Sequence, residues 1–261
     1  MNKKKTIFSI ITVSKDNFDG LNQTYSSIKK INFKQFEWVV ILKGNCKKSI
    51  SLIKSEKKIQ KKIIINKDKN LWDAMNIGVI NSIGEYLIFM NAGDCFLKKN
   101  ILNKIQKIIL KERAPDVIYG NTIEKINNKK KFKKSLNHKF IHYGMFANHQ
   151  SFFFKKTCLK KYRKPFDYKK FKFTADYALI AKLYNSRKIF FQTNLYVSIF
   201  LFGGMSYSKQ YLTKSRKEQI FIKQKILNMN VMLVYFIYFI QKLLWLIRLY
   251  FNPIYKLIRY K

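Results

Sequence analysis

Residues 62–94 read KIIINKDKNLWDAMNIGVINSIGEYLIFMNAGD, and this stretch decides the fold class. It contains two short apolar runs, at residues 62–65 and 86–90, separated by a segment from Asn70 in which apolar residues recur at helical spacing. A strand, a helix and a second strand at this spacing predict a βαβ unit. Helices that cover a mainly parallel sheet are typical of an α/β protein.

The same alternation continues on both sides of this stretch. Apolar runs at residues 7–13 and 36–42 precede it, and each is followed by an amphipathic segment. After it come helical patterns over residues 101–108 and 175–184 and an apolar run at 150–154. We therefore predict one α/β sheet that extends through both halves of the chain, with its ligand beyond the carboxyl ends of the strands.

The second half contains long polar segments, and we interpret two of them, residues 116–121 and 127–134, as loops. The 261 residues suffice for one domain with a sizeable core. No internal repeat and no Pro-rich or Gly-rich linker divides them. We predict one domain over residues 1–206 and a basic helical tail over residues 207–261.

The tail contains an apolar segment at residues 231–251, which Gln241, Lys242 and Arg248 interrupt. A membrane-spanning helix needs about 20 mostly apolar residues, so these charges argue against a span. Basic residues recur after this segment, and aromatic side chains that suit a headgroup layer lie within and after it: Lys256, Arg259 and Lys261, and Trp245, Tyr250 and Tyr255. We expect a helix that lies on, or partly inserts into, an anionic membrane surface. A true span and a contact with the domain or a partner subunit stay open as alternatives.

The chain is strongly basic, with 53 Lys and Arg against 14 Asp and Glu and a formal net charge of +39. Such a charge attracts polyanions, including nucleic acids and anionic lipids. The basic residues are spread among Asn and Ile along the whole chain and are not gathered around aromatic stacking positions. This pattern favours compositional bias with a solvated surface, and after that membrane attraction, so we expect no nucleic-acid partner.

The cysteines and the N-terminus indicate where the protein works. Cys46, Cys95 and Cys158 are odd in number and widely separated, which fits a reducing compartment. The basic residues 1–5 lead into the apolar run 7–13, but polar residues follow it without a small-residue cleavage site. We expect a cytoplasmic protein, peripheral at the inner face of the plasma membrane.

Asp94 directly follows the apolar run 86–90 and a short turn. An ionised carboxylate at the end of a buried strand needs a partner, because an unpaired buried charge is costly. Magnesium takes one or two protein carboxylates and completes its shell with phosphate oxygens and water. The position therefore predicts a divalent cation site, with a turn-forming Asp as the structural alternative.

Several motifs, in this order, resemble those of family 2 glycosyltransferases, whose GT-A fold is Rossmann-like. They are the strand Phe8-Ser-Ile-Ile-Thr-Val13, the segment Asp68 to Gly78 with its Asp-Ala-Met-Asn-x-Gly pattern, the turn Asn91-Ala-Gly-Asp94, the pair His149-Gln150 before a Phe-rich strand, and Thr174-Ala-Asp176-Tyr177. The resemblance covers about residues 7–205. It is nearest to the bacterial branch that builds colanic-acid-like capsules, O-antigens and other surface polysaccharides.

The resemblance implies inverting, metal-dependent sugar transfer from a nucleotide-diphosphate sugar to a glycan or lipid-linked acceptor. Residues of about 1–111 would bind the donor and residues 112–206 would shape the acceptor side. Asp94 would hold Mg²⁺ or Mn²⁺ on the donor diphosphate. Asp176 would be the general base. The other implied residues are Thr12, Asp16, Asp73, Asn76 and Asn91 on the donor side and His149 and Gln150 on the acceptor side.

Some of these residues have structural alternatives, and one motif departs from the family. Asp73 and Asp176 each suit the first turn of a helix, where the macrodipole favours an acid. Where the family has Asp-Gly-Gly-Ser-Thr-Asp after the second strand, this chain has Leu42-Lys-Gly-Asn-Cys-Lys47. The missing acid commonly contacts the nucleoside base, and Asp16 and Asn17 are candidates to replace it. The alternative function is a degenerate, non-catalytic scaffold or binding subunit of a glycan assembly complex.

Overall fold

A computed structural model describes residues 5–65, 67, 69–126, 129–201 and 209–250. Its strands are β1 (Phe8–Lys15), β2 (Phe36–Lys43), β3 (Gln60–Ile65), β4 (Tyr86–Phe89), β5 (Cys95–Phe96), β6 (Val117–Ile126), β7 (Lys129–Lys133), β8 (Phe152–Lys155) and β9 (Phe190–Leu201). Its α-helices are α1 (Phe18–Lys29), α2 (Lys47–Ser55), α3 (Leu71–Asn81), α4 (Ile101–Lys111), α5 (Lys156–Lys160), α6 (Ala175–Asn185), α7 (Lys209–Lys225) and α8 (Val231–Tyr250). Two short 3₁₀ helices span His138–His142 and His149–Ser151.

The strands form one mixed sheet in the order β3-β2-β1-β4-β8-β6-β9-β5, with β7 paired to β6. The first four strands in this order are parallel, β8 is antiparallel to both neighbours, and β9 is parallel to β6. The predicted α/β architecture with a central sheet and flanking helices is therefore confirmed. Its parallel part coincides with the strand and helix alternation of residues 7–90.

The prediction of a loop at residues 116–121 was wrong, because Val117–Ile126 is a strand with a buried apolar start. The lysine-rich segment was also misassigned, because Lys129–Lys133 forms β7 and pairs with β6 in antiparallel register. Lysines are common on strands at sheet edges, where their charge discourages pairing with other chains. A polar composition therefore did not exclude a strand here.

Alternate residues of the central strands fill two hydrophobic clusters, one on each face of the sheet. Ile11, Val39 and Phe89 belong to the cluster that also receives residues of α3 and α6. Ile10 and Trp38 belong to the other, with residues of α1 and α4. Burial on both faces explains why these strands read as almost continuous apolar runs.

Short polar residues begin the helices that follow the parallel strands. The Asn17 side chain accepts a hydrogen bond from the Gly20 amide at 2.9 Å, and Asn70 accepts one from the Asp73 amide at 3.1 Å. Each contact satisfies an N–H group that has no partner within the helix. Gly78 lets α3 approach the sheet, because a Cβ atom there would collide with the side chain of Ile11.

The described part of the tail packs on the domain and leaves an apolar face exposed. On the packed side Val234 is fully buried, and the Gln241 amide donates to the Tyr143 carbonyl of the domain at 2.7 Å. Within the tail, the Arg216 guanidinium of α7 lies 5.7 Å from the centre of the Tyr238 ring of α8. Exposed apolar residues of α8 are Val231, Met232, Leu233, Tyr235, Phe236, Phe239 and Leu243. No helix within residues 209–250, or elsewhere in the described chain, is both long and apolar enough to cross a membrane.

Several sequence predictions fall outside these residues. Tyr255, Lys256, Arg259 and Lys261 lie beyond residue 250, and the side chains of Trp245 and Tyr250 are not described. Asp68, at the start of the family-like segment, is likewise outside the described residues. The membrane contact of the tail therefore stays a prediction.

All three cysteines are free.

Candidate active site

The candidate site lies where the order of the parallel strands reverses. β2 and β3 lie on one side of β1 and β4 lies on the other. Ligands of such sheets bind in the crevice beyond the carboxyl ends of the strands at this point. The turn after β4 enters the crevice, held by hydrogen bonds from the Ala92 amide to the Val13 carbonyl and from the Gly93 amide to the Gly20 carbonyl, at 3.1 and 2.9 Å.

Asp94 ends this turn and is almost completely buried. Its Oδ1 accepts a hydrogen bond from the Gln150 Nε2 at 3.1 Å, and its Oδ2 accepts one from the Asn91 amide at 3.0 Å. Burial raises the pKa of Asp94 to about 7, although both hydrogen bonds favour the charged form. No basic side chain in the described part of the chain forms an ion pair with it. A bound cation would relieve this unfavourable burial of charge.

Asn91, whose backbone amide binds Asp94, also carries a buried side-chain oxygen. Its Oδ1 is buried and has no hydrogen-bond partner among the described residues. The Thr24 hydroxyl fixes the turn by donating to the Asn91 carbonyl at 3.1 Å, and it also accepts from the Gly93 amide at 3.0 Å. An unsatisfied buried acceptor next to a carboxylate is suited to a hard cation.

The described residues contain no cluster of three or more His, Cys, Asp and Glu side chains that could hold a metal by themselves. Asp94 and Asn91 therefore suit a cation that takes one carboxylate oxygen and one amide oxygen from the protein. Its other ligands would come from substrate and water. Mg²⁺ and the diphosphate of a nucleotide combine in this way.

Gln150, which the family resemblance put on the acceptor side, lies beside Asp94, and His149 precedes it in the chain. Gln150 is the hydrogen-bond donor to Asp94, and His149 stacks on Phe89 with 5.7 Å between ring centres. Burial lowers the pKa of His149 to about 4, so its ring is neutral at neutral pH. Its Nε2 is buried and unpaired within the described chain. The ring can therefore offer a hydrogen bond to a polar group that enters the crevice.

Trp72 connects this pocket to the segment before α6. Its ring meets His149 edge to face, with 6.5 Å between centres, and stacks on Phe166 at 5.6 Å. Its indole N–H donates to the Lys172 carbonyl at 3.0 Å. The first turn of α3 therefore joins the Asp94 side of the crevice to the segment that leads to Asp176.

Asp176 lies in the first turn of α6 and is half-buried. Its Oδ1 accepts a hydrogen bond from the Tyr177 amide at 2.8 Å. Burial raises the pKa of Asp176 to about 6, and the negative charge of Glu218 adds to the rise. A carboxylate with this pKa is ionised at neutral pH yet more basic than an exposed one, which suits a general base.

Residues 9–180 match the sequence profile described as Glycosyl transferase family 2, which covers more than half of the chain. The chain belongs to this family. The family-like motifs of the sequence, from Ser9 in the first strand to Tyr177, lie within the matched residues.

Individual relatives agree with the family assignment. The PGL/p-HBAD biosynthesis glycosyltransferases of Mycobacterium tuberculosis and Mycobacterium bovis are 25% identical over 156 residues, which cover 54% of this chain. The chain covers 61% of the length of these relatives.

Solved structures share the fold at low sequence identity. S. aureus TarS 1-349 in complex with UDP-GlcNAc matches with a TM-score of 0.66 and 14% identity, over 88% of this chain and 70% of that one. The mannosyltransferase PcManGT from Pyrobaculum calidifontis, in complex with GDP-Man and Mn²⁺, matches with a TM-score of 0.62 and 10% identity, over 85% and 64% of the two chains. These likenesses show that the chain shares its fold with these structures, as expected of the predicted GT-A fold.

Three residues that the family resemblance put on the donor side have partners within the protein. Thr12 is fully buried, and its hydroxyl accepts from the Trp38 indole at 2.9 Å. Asn76 exchanges two hydrogen bonds with the backbone of Phe166, at 2.8 and 3.0 Å. Both side chains are therefore unavailable to a donor, and we remove them from the candidate site.

Asp73 is the third. Its carboxylate accepts from the Lys69 amide at 3.2 Å and lies 3.6 Å from the Lys164 ammonium. The Asp73 amide in turn donates to the Asn70 side chain, so Asp73 is part of the N-terminal cap of α3. This is the structural alternative that the sequence offered, and we assign Asp73 that role.

Asp16 lies at the point where this chain departs from its family motif. It has a φ of 47° and accepts a hydrogen bond from the Asn45 amide at 2.7 Å, so it fixes the loop after β2. Leu42 is buried in the core. An acid at position 42 would therefore be out of reach of a ligand in this structure. Asp16 is an acidic side chain in direct contact with this loop.

Sequence reasoning missed three residues that organise the site: Thr24, Trp72 and Glu218. Thr24 is a polar residue on the otherwise apolar face of α1, which was an available signal. Trp72 reads as one more apolar position of α3. Glu218 is the only Asp or Glu after Asp176 in the sequence. Its role became visible only from its contacts in the tertiary structure.

Proposed function

We propose that this chain is an inverting, metal-dependent glycosyltransferase that moves a sugar from a nucleotide-diphosphate donor onto a surface-polysaccharide or lipid-linked glycan acceptor. One observation carries the proposal. Asp94 is buried at the point where the strand order reverses, without a cationic partner among the described residues. Ring contacts and a hydrogen bond through His149 and Trp72 connect this region to the segment that leads to Asp176. A donor diphosphate fits the first group and an acceptor hydroxyl fits the second.

The reaction needs one displacement at the anomeric carbon. The acceptor hydroxyl oxygen forms the new bond to this carbon as the bond to the diphosphate oxygen breaks. The Asp176 carboxylate takes the hydroxyl proton, and the electron pair of the broken bond leaves with the nucleoside diphosphate. Attack from the face opposite the leaving group inverts the anomeric configuration, and no covalent enzyme intermediate is required.

Asp94 and the Asn91 side-chain oxygen would hold the divalent cation against the diphosphate. The cation supplies positive charge where negative charge develops on the leaving group. Gln150 keeps the Asp94 carboxylate oriented, and Thr24 keeps the Asn91 backbone in place. These residues therefore organise the site before the donor binds.

Two substitutions on one purified protein test the proposal. Mn²⁺ together with a panel of nucleotide-diphosphate sugars, including UDP-GlcNAc and GDP-mannose, should raise the melting temperature. At a ligand concentration of 100 times the dissociation constant, the gain in unfolding free energy should be about 3 kcal/mol. Asp94→Asn should abolish this stabilisation. Asp176→Asn should retain it but lose about 100- to 10,000-fold in transfer rate. Full transfer by Asp176→Asn would remove the base, and full transfer after exhaustive chelation would remove the metal.

The alternative of a non-catalytic subunit has one observation in its favour, the core residue Leu42 in place of an acid. Titration calorimetry separates the two functions. A degenerate pocket should release no heat with any donor in the panel, whereas the enzyme should bind at least one of them in the presence of Mn²⁺.

A further inference from the structure

Glu218 is an isolated acid in a basic part of the chain. It lies in α7, and its neighbours on this helix include Lys214, Arg216 and Lys217. Among the described residues it forms no ion pair with these bases. Its carboxylate is turned instead toward the segment that leads into α6.

The Glu218 carboxylate accepts four hydrogen bonds from three consecutive residues. One oxygen accepts from the Lys172 amide at 2.8 Å. The other accepts from the Phe173 amide at 3.0 Å and from the amide and hydroxyl of Thr174, both at 2.9 Å. Hydrogen bonds to an ionised acceptor are stronger than those between neutral groups. One side chain of the tail therefore determines the path of this segment.

Neighbouring contacts hold the same segment from both sides. Phe171 packs against Phe221 of α7 with 6.0 Å between ring centres, and the Lys214 ammonium lies 6.0 Å from the centre of the Phe173 ring. The Trp72 indole holds the Lys172 carbonyl from the opposite side. The segment thus lies between α7 and the donor side of the crevice.

Thr174 is the N-cap residue of α6, and Asp176 follows it by two positions. A threonine at this position usually caps its own helix through the hydroxyl. Here the hydroxyl donates to Glu218, and no side-chain cap of the usual kind forms. The start of α6, and with it the direction of the Asp176 carboxylate, therefore depends on a residue of the tail.

We propose that Glu218 is a positioning residue for Asp176, and that α7 is in this way part of the catalytic unit. The inference rests on the proposed function, in which Asp176 is the base. Glu218 does not touch the reacting atoms in this assignment. It acts by holding the helix end that carries the base.

The test compares Glu218→Ala, Glu218→Gln and Glu218→Asp, with exposed Lys217→Ala as the matched control. Misplacement of a catalytic group by about 1 Å can cost on the order of 100-fold in rate. We expect Glu218→Ala to lower kcat about 10- to 100-fold while the donor KM changes less than twofold. Glu218→Asp, which keeps the carboxylate, should recover more activity than Glu218→Gln, which keeps the length. Lys217→Ala should match the wild type.

Amide hydrogen exchange provides a readout that does not depend on activity. The amides of residues 172–174 should exchange faster in Glu218→Ala than in the wild type, while those of the central strands are unchanged. If Glu218→Ala does not fold, the comparison of Glu218→Gln with Glu218→Asp decides the same question.

The outcomes separate this inference from the proposed function. Unchanged kcat in the Glu218 variants, with Asp176→Asn inactive, overturns the positioning role and leaves the function intact. Unchanged exchange of residues 172–174 also overturns it. Full activity of Asp176→Asn, or a wild type inactive with every donor, removes the base and the positioning role together.

Discussion

At the scale of single residues, Asp94 combines deep burial with the absence of a cationic partner in the described chain. Its folded-state pKa of about 7 lies above the ordinary carboxyl value, so the folded state binds the proton more tightly than the unfolded state. Without metal, this group therefore contributes stability at pH below about 4, and the contribution is lost as pH rises through 7.

We predict that Asp94→Asn is more stable than the wild type in metal-free buffer at pH 8, by about 1 kcal/mol, because a buried charge is removed at the cost of one hydrogen bond. Denaturant unfolding at pH 8 and at pH 4.5 measures the difference, which should shrink at the lower pH. A variant less stable than the wild type at pH 8 would contradict the assignment of Asp94 as an unpaired buried charge.

The pKa of Asp176 should determine how kcat/KM falls at acidic pH. The base must be ionised to accept a proton, and its pKa is raised to about 6 by burial and by Glu218. The value of kcat/KM at saturating Mn²⁺ should therefore fall tenfold per pH unit below about 6. A limb that lies near pH 4, the ordinary carboxyl range, would show that Asp176 is exposed to solvent or is not the base.

At the scale of secondary structure, α3 joins two parts of the site through Trp72. Trp72→Phe keeps an aromatic ring against Phe166 but removes the N–H that holds the Lys172 carbonyl. We expect a loss of about 1 kcal/mol in unfolding free energy and a several-fold drop in kcat, because the segment before Asp176 loses one of its supports.

Leu71→Ala is the control for this prediction, since Leu71 is the adjacent residue and is exposed. Unfolding curves and steady-state kinetics of the three proteins make the comparison. Equal kcat in Trp72→Phe and Leu71→Ala would mean that the indole hydrogen bond does not support the site.

At the scale of the whole molecule, the net charge of +39 and the exposed side of α8 both favour binding to an anionic lipid surface. Met232, Phe236, Phe239 and Leu243 recur at helical spacing along the exposed face, while Val234 lies on the packed face. An apolar helix face on a strongly basic protein is suited to an anionic lipid surface.

We predict that the protein sediments with vesicles that contain anionic phospholipid, and that salt weakens this binding. The double variant Phe236→Ser and Phe239→Ser should lose most of it. Leu110→Ser is the matched control, because Leu110 is equally apolar and exposed but lies on α4. Equal binding of the double variant and the control would exclude the α8 face as the membrane contact.

The sequence by itself determined the elements whose signals are local. Apolar runs predicted β1 to β4. Of these, β1, β2 and β4 are buried on both faces and therefore need apolar residues at successive positions. The start of α3 was readable from Asn70 and Asp73, since a cap involves residues only three apart. Asp94 was recognisable as a site residue because an acid directly after a buried strand needs a partner.

Only the tertiary structure decided which polar side chains face the crevice. Thr12 meets Trp38, Asn76 meets Phe166, and Trp72 meets Lys172, at separations of 26, 90 and 100 residues. Such pairs depend on how helices pack on the sheet, and no local pattern encodes them. Glu218 belongs to the same class: its isolation in a basic tail was visible in the sequence, but the segment it holds was determined by the packing of α7.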